Sequence, residues 1–391
     1  MSPRTLLLAL ALAAAPGLAQ DGGYATEASA TGSYEGGSTE EPLVVIGGAP
    51  APGFVYRDDE IERALGASAT RYFPAVVDDG GTPFALLPFV ARASSVRVDV
   101  SLASRSDDST GTSTGQQVSL TSGFTGDRTT RGAGLSGEWF FERGTSARAG
   151  ISGTWTRETD ATTQVESPSG RGDLAEIGTR TSAGRATFGV ARRFGAGPSA
   201  GTGLFRGLEA EVAADGSYGW RLNTQHEELL FSESGFRAFD YELSSRTRGL
   251  SLSTRALLLS RRLLVEARGS YTSASGALTQ APDVKIDHST AIVRSLSGTV
   301  TFHPSRALGV GAGLTYATET DAGGLVSVQR TEAIKTLSWL VSARWFVTPR
   351  ASIAAAFTRA EGTTLLPPQG ATFQRFEETT NRVELQGSLR F

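Results

Sequence analysis

His226 stands in "QHEE" beside Glu227 and Glu228, and His288 stands in "IDHST" beside Asp287. A histidine next to a carboxylate is the minimum arrangement for general-base catalysis. Neither pair has a nucleophile to complete a catalytic set, and the charges read as solvated loop residues. The third histidine, His303, falls in the turn "HPSR". A metal centre needs converging ligands, and three scattered histidines in a chain without cysteine do not supply them. "GAGLSG" (132–137) matches the dinucleotide fingerprint letter for letter. That fingerprint opens a helix after a strand, whereas here the stretch opens an alternating segment ending in "EWFF". The residue types therefore predict no enzyme, no metal and no organic cofactor.

The remaining charge chemistry recurs at every second position. Arg97 and Asp99 alternate with Val96, Val98 and Val100, and Glu138 stands between Gly137 and Trp139. Arg148 and Arg185 sit among Ala, Gly and Ile, while Glu209, Glu211 and Asp215 oppose Leu208, Val212 and Tyr218. Arg255, Glu266, Arg268 and Arg344 continue the series, and Arg382, Glu384 and Arg390 close it in "NRVELQGSLRF". Side chains two apart in an extended chain share a face, so one face of these segments is apolar and the other ionic. A sheet over a soluble core has this pattern, and so does a membrane barrel with a wet bore. In a barrel these residues either fill the interior as ion pairs or line a pore and tune which solutes pass. The pore is the preferred reading.

The elements that must hold this set are strands. From Ser94 onward the two-residue period dominates, in "VRVDVSL", "ARAGISGTW", "LEAEVAADGSY" and "LVEARGSY". The chain of 391 residues carries 47 glycines and only 39% hydrophobic residues, which are spaced singly rather than in core-forming blocks. Connections alternate between short ("ERGT", "SRR", "HPSR", "TPR") and long (159–178, 219–243, 275–287, 321–330, 361–375). Aromatic residues collect at both strand ends, Trp139, Phe141, Phe194 and Trp345 at one and Trp155, Tyr218, Trp220, Tyr271 and Tyr316 at the other. Two aromatic girdles, tight turns on one side and long loops on the other belong to a transmembrane barrel. Arg192 and Arg294 fall on the outward parity, each near a strand end where its stem reaches water.

Twelve strands are predicted between residues 94 and 391, in an all-β, antiparallel, up-and-down transmembrane barrel spanning 93–391. Fourteen is the alternative, pairing "QQVSLTSGF" (116–124) with 83–91 to keep the number even. Residues 1–19, "MSPRTLLLALALAAAPGLA", read as a signal peptide with a basic start, a short apolar run and small residues at the cleavage site. Residues 20–92 read as a partly disordered segment that stays in the periplasm or plugs the lumen, with "RDDEIERALG" (57–66) as a short helical piece. "EEPLVVIGG" (40–48) resembles the energy-coupling box of TonB-dependent transporters. A net charge of −3, with both signs dispersed, gives nucleic acid no footing.

With its signal peptide, its alternating strands and a final "LQGSLRF" ending on Phe391, the chain resembles Gram-negative outer-membrane β-barrel proteins as a class. The resemblance implies residence in the bacterial outer membrane, contact with its lipid, and Phe391 as a signal for the barrel-assembly machinery. The expected activity is passive diffusion of small polar solutes or ions. The runners-up are an occluded barrel that binds a partner or polysaccharide through its loops, and a barrel hydrolase.

Overall fold

The computed structural model describes residues 23–42, 45–46, 49–50, 54–114, 119–141, 144–165, 174–195, 205, 208–231, 235–280, 284–323, 331–366 and 374–391. Among these, fourteen strands form one closed antiparallel barrel. They are β1 (Tyr24–Pro42), β2 (Phe54–Val76), β3 (Ser94–Thr114), β4 (Ser119–Phe140), β5 (Thr145–Val165), β6 (Leu174–Gly195) and β7 (Glu209–Phe231). The ring continues with β8 (Gly235–Leu258), β9 (Leu263–Gln280), β10 (Val284–Phe302), β11 (Leu308–Gly323), β12 (Thr331–Thr348), β13 (Ala351–Leu366) and β14 (Gln374–Arg390). Each strand pairs with its neighbours in sequence, and β1 pairs with β14 to close the seam. Phe391 ends the chain on that seam: its N–H donates to Thr26 O and its carbonyl accepts from the Ala25 and Thr26 amides. In lipid an open sheet edge would leave backbone groups without partners, so closure to the last residue is a physical requirement.

The alternation of the sequence is the inside–outside alternation of the wall. Ile151, Phe188, Leu250, Leu252, Leu296, Leu314 and Leu385 are 55–65% exposed and all face outward. Such residues would be core in a water-soluble domain; here they form the apolar band that meets hydrocarbon. Glycines complete this outer surface. The ring of Trp220 lies over Gly184 on the adjacent strand, and that of Phe188 lies over Gly216; a Cβ on either glycine would overlap the ring, at 2.1 Å and 2.5 Å.

Fourteen strands rather than twelve result because β1 and β2 come from the segment that sequence reading separates from the barrel. Residues 20–92 are therefore not a detached periplasmic stretch: 24–42 and 54–76 are wall. Their apolar face is weak, being Ala28, Ala30, Gly32 and Tyr34 on β1 and Ile61, Leu65, Ala67 and Ala69 on β2. Small outward residues make "ASATGSYEGG" look like linker, and Glu, Arg, Ala and Leu make "RDDEIERALG" look helical. Pairing along both edges overrides that propensity. The additional pair also differs from the one expected: 119–124 opens β4, and 84–91 forms a 3₁₀ turn (Phe84–Leu86) followed by a helix α1 (Leu87–Ala91). The long connections are shorter than they read, because strands of 16–24 residues run well past the 9–11 needed to cross a bilayer. Residues 1–19, the expected signal peptide, lie outside the described residues. Both described chain ends and the tight turns lie at one end of the barrel, the periplasmic end by the rule for this class. Glu40–Pro42, the start of "EEPLVVIGG", lies at the opposite, external end of β1, away from the periplasmic end where a coupling box would have to be.

Candidate functional site: the lumen and its periplasmic plug

The connection between β2 and β3 (residues 77–93) turns into the bore. Asp79 shapes its start, accepting from the Gly81 amide at 3.0 Å, the Thr82 amide at 2.7 Å and the Thr82 hydroxyl at 2.5 Å. Gly80 takes the left-handed conformation (φ +76°) that this turn requires. Pro88 occupies the first turn of α1, where its missing N–H costs nothing. The apolar residues of "TPFALLPF" are thereby presented to the wall. Leu86 and Phe89 pack on Leu257 and Leu264, while Leu87 packs with Tyr24, Val76 and Ala93.

Arginines from around the ring hold this plug. Arg193 on β6 donates to the Phe89 carbonyl, and its guanidinium stacks on the rings of Phe89 (4.0 Å) and Phe140 (4.5 Å). Arg255 on β8 also faces Phe89 at 5.1 Å. Arg390 on β14 donates to the Phe84 carbonyl at 2.9 Å and pairs with Glu27 at 3.0 Å. Arg306, in the β10–β11 turn, pairs with Asp78, donates to the Thr82 carbonyl at 3.1 Å and stacks on Phe84 at 4.5 Å. Arg261 bridges Asp79 (2.8 Å) and Glu209 (2.5 Å). It sits in the β8–β9 turn, where Leu259, Ser260 and Arg261 all have φ between 51° and 70°. Three successive non-glycine residues in that region store backbone strain. Burial works against the charged form of Asp79, but the Thr82 side-chain and backbone hydrogen bonds, the Gly81 amide and Arg261 outweigh it. Its carboxyl is held below the usual aspartate range.

Above the plug, the expected inward residues meet in networks that also take in Arg193, which is not among them. Glu138 on β4, Arg148 on β5, Arg193 on β6 and Glu211 on β7 form one chain across four strands. Arg148 contacts Glu138 at 3.0 Å and Glu211 at 2.5 Å, and Arg193 pairs with the other Glu211 oxygen. Glu211 and Arg193 are buried. Arg255 and Glu266 pair across β8 and β9 at 2.6 Å. Arg97 and Asp99 stand 3.9 Å apart, and Arg382 contacts Glu384 at 3.4 Å and Glu35 at 3.8 Å. Other arginines meet neutral groups: Arg185 bonds Ser217 (3.0 Å), Arg268 bonds Ser251 (3.1 Å) and Arg344 bonds Gln386 (2.6 Å). A cavity of about 720 Å³ lies over the plug, with Tyr72, Leu86, Phe89, Phe140 and Leu264 as apolar lining. Arg97, Glu138, Arg148, Asp215, Arg255, Glu266 and Arg268 line the same space. Arg185 and Asp215 border a smaller recess of about 230 Å³.

Sequence reading finds the wall charges but not their partners on the plug. Arg193 follows from parity once its neighbour Arg192 is placed outside. Asp78, Asp79, Arg261 and Arg306 lie in connections, where alternation gives no sign of direction. His226 bonds exposed Asp240 at 2.8 Å on the outer surface, far from the lumen. The side chains of Glu227, Glu228, Asp287 and His288 lie outside the description, and His303 is buried in its turn.

A closed barrel with an apolar outside, aromatic ends and an ionic inside defines a β-barrel protein of the bacterial outer membrane. No family model matches the chain, and no curated protein does. Among solved structures, a TodX deltaS2S3 mutant monoaromatic hydrocarbon channel superposes with a TM-score of 0.55 at 12% identity, over 100% of this chain and 95% of that one. The Pseudomonas putida toluene transporter TodX superposes with a TM-score of 0.52 at 10% identity, over 100% of this chain and 94% of that one. At such identity the likeness is one of fold.

Proposed function

We propose that the protein is an outer-membrane channel that passes small solutes by diffusion through its lumen, with residues 77–93 as the gate at the periplasmic exit. The observation that carries this reading is the open cavity of about 720 Å³ between an ionic wall and a plug anchored by separate arginines. The wall residues act without covalent chemistry: fixed charges raise the local concentration of oppositely charged solutes and lower that of like-charged ones. Of the fourteen residues from Arg97 to Glu384 that sequence reading assigns to the pore, all but the buried Glu209 and Glu211 form its selectivity surface.

Conductance of the purified full chain in planar bilayers tests the channel. Discrete ionic steps that grow when the plug is loosened by Arg306→Gln are expected. A variant with the same low conductance as wild type, in a barrel that remains folded, would overturn the gate.

A second reading has one observation in its favour. The lower lining of the cavity is apolar and aromatic, and the neighbours of this fold include a protein described as a toluene transporter. A small apolar solute would then rest on Phe89 and Phe140 and leave when the plug moves. Uptake of labelled toluene by proteoliposomes, compared with uptake of a small charged sugar acid, separates the two readings.

A further inference from the structure

The outer surface carries a second ionic pattern that the lumen does not explain. Arg131 on β4 lies directly across from Trp155 on β5. Arg248 and Arg246 on β8 lie across from Tyr218 and Trp220 on β7. Arg157 on β5 faces Arg180 on β6 as a direct cross-strand neighbour. All five arginines are exposed and share the parity of the outward apolar residues, as do Trp155 and Trp220 at 56% and 53% exposure. Each lies on the external side of the apolar band.

Like charges directly opposite on one sheet face repel. Among the described residues, no hydrogen bond or ion pair engages the guanidinium group of any of these five arginines to relieve that repulsion. Among the described residues, the outward acids Asp127, Asp240 and Glu242 lie further toward the external rim, and Asp240 is engaged with His226. Five guanidinium groups beside aromatic rings, bordered by a lipid-facing surface, are complementary to an anionic partner that also has an apolar body.

We propose that the outward arginines of β4–β8 bind the phosphate groups of a phosphorylated lipid in the outer leaflet. The acyl chains lie on the band containing Ile151, Phe188, Leu250 and Leu252, and the phosphates lie between Arg157 and Arg180 and against Arg246 and Arg248. Guanidinium forks suit this task because each presents parallel donors to two phosphate oxygens. The aromatic girdle fixes the height of the head group. The site is independent of whether the lumen conducts.

Native mass spectrometry of the full chain in detergent tests the site, with diphosphoryl lipid A, its dephosphorylated form and inorganic phosphate as separate probes. Wild type is expected to retain diphosphoryl lipid A at least tenfold more tightly than the dephosphorylated lipid. The variant R157Q/R180Q/R246Q/R248Q is expected to lose that preference, while R157K/R180K, which keeps the charge but not the fork, retains only part of it. Heat-modifiable gel migration verifies that each variant is a folded barrel. Equal retention by the four-glutamine variant would overturn the proposal. So would inorganic phosphate binding as tightly as the lipid, or a change of oligomeric mass with no change in lipid binding.

Discussion

Replacing Arg193 by methionine removes the anchor that ties the plug to β6. Arg193 is buried, donates to the Phe89 carbonyl and covers the Phe89 ring at 4.0 Å. A hydrogen bond from a charged group contributes about 1.5–3 kcal/mol, and a desolvated cation–π contact about 1–2 kcal/mol. Glu211 keeps Arg148 at 2.5 Å, so the cost of stranding a buried carboxylate is only partly incurred. A net loss of about 3 kcal/mol raises the undocked population about a hundredfold, at about 1.4 kcal/mol per factor of ten. The chain has no cysteine, so Leu86→Cys, at a buried plug position, supplies a single reporter thiol. Its rate of modification by a water-soluble maleimide is proportional to undocking. Arg193→Met on the Leu86→Cys background is expected to accelerate labelling about a hundredfold. An increase below threefold, with heat-modifiable migration unchanged, would refute the assignment of Arg193 as an anchor.

Acid acts on a different anchor of the same plug, the Asp79–Arg261 pair. Its carboxyl is lowered below the usual aspartate value of about 3.9, so its contribution to docking is present above that value and is lost as pH falls through the lowered one. Conductance is therefore expected to rise below about pH 4 in wild type, and Asp79→Asn should show the raised level already at pH 7. Gly184→Ala displaces the Trp220 ring, the exposed end of a rotatable side chain, and is expected to lower barrel stability by only about 0.5–1.5 kcal/mol, measured as a slightly earlier loss of heat-modifiable migration. Neutralising the lumen cations in R185Q/R268Q should shift the reversal potential toward cation preference in asymmetric salt.

Alternation made most of the wall legible, because lipid outside and water inside impose a strict two-residue period on β3–β14. Val96, Val98 and Val100 against Arg97 and Asp99 leave no other register that avoids charge in hydrocarbon. β1 and β2 escaped because Ala28, Ala30 and Gly32 make a lipid face without large apolar groups, and because propensity in 57–66 favours a helix until two neighbours pair with it. The lumen charges were legible as a set for the same reason as the wall. Which of them meet was not, since contacts such as Arg148–Glu211 span two strands and depend on register and shear. The plug was least legible. Residues 78–89 carry turn and proline signals, yet only the positions of Arg193, Arg261, Arg306 and Arg390 around the ring give that connection somewhere to dock.

Closure of the ring through β1 is the claim on which lumen, plug and lipid face all depend. Ala30 and Gly387 are direct cross-strand partners on the seam, and a Cβ at Gly387 meets nothing within 4 Å. In the double variant Ala30→Cys/Gly387→Cys, oxidation in isolated outer membranes with a lipid-soluble oxidant is expected to give a near-complete intramolecular disulfide. Efficient bridging of Val98→Cys to Leu385→Cys instead, with Ala30→Cys/Gly387→Cys unreacted, would mean that β3 closes on β14 and that the first two strands lie outside the wall.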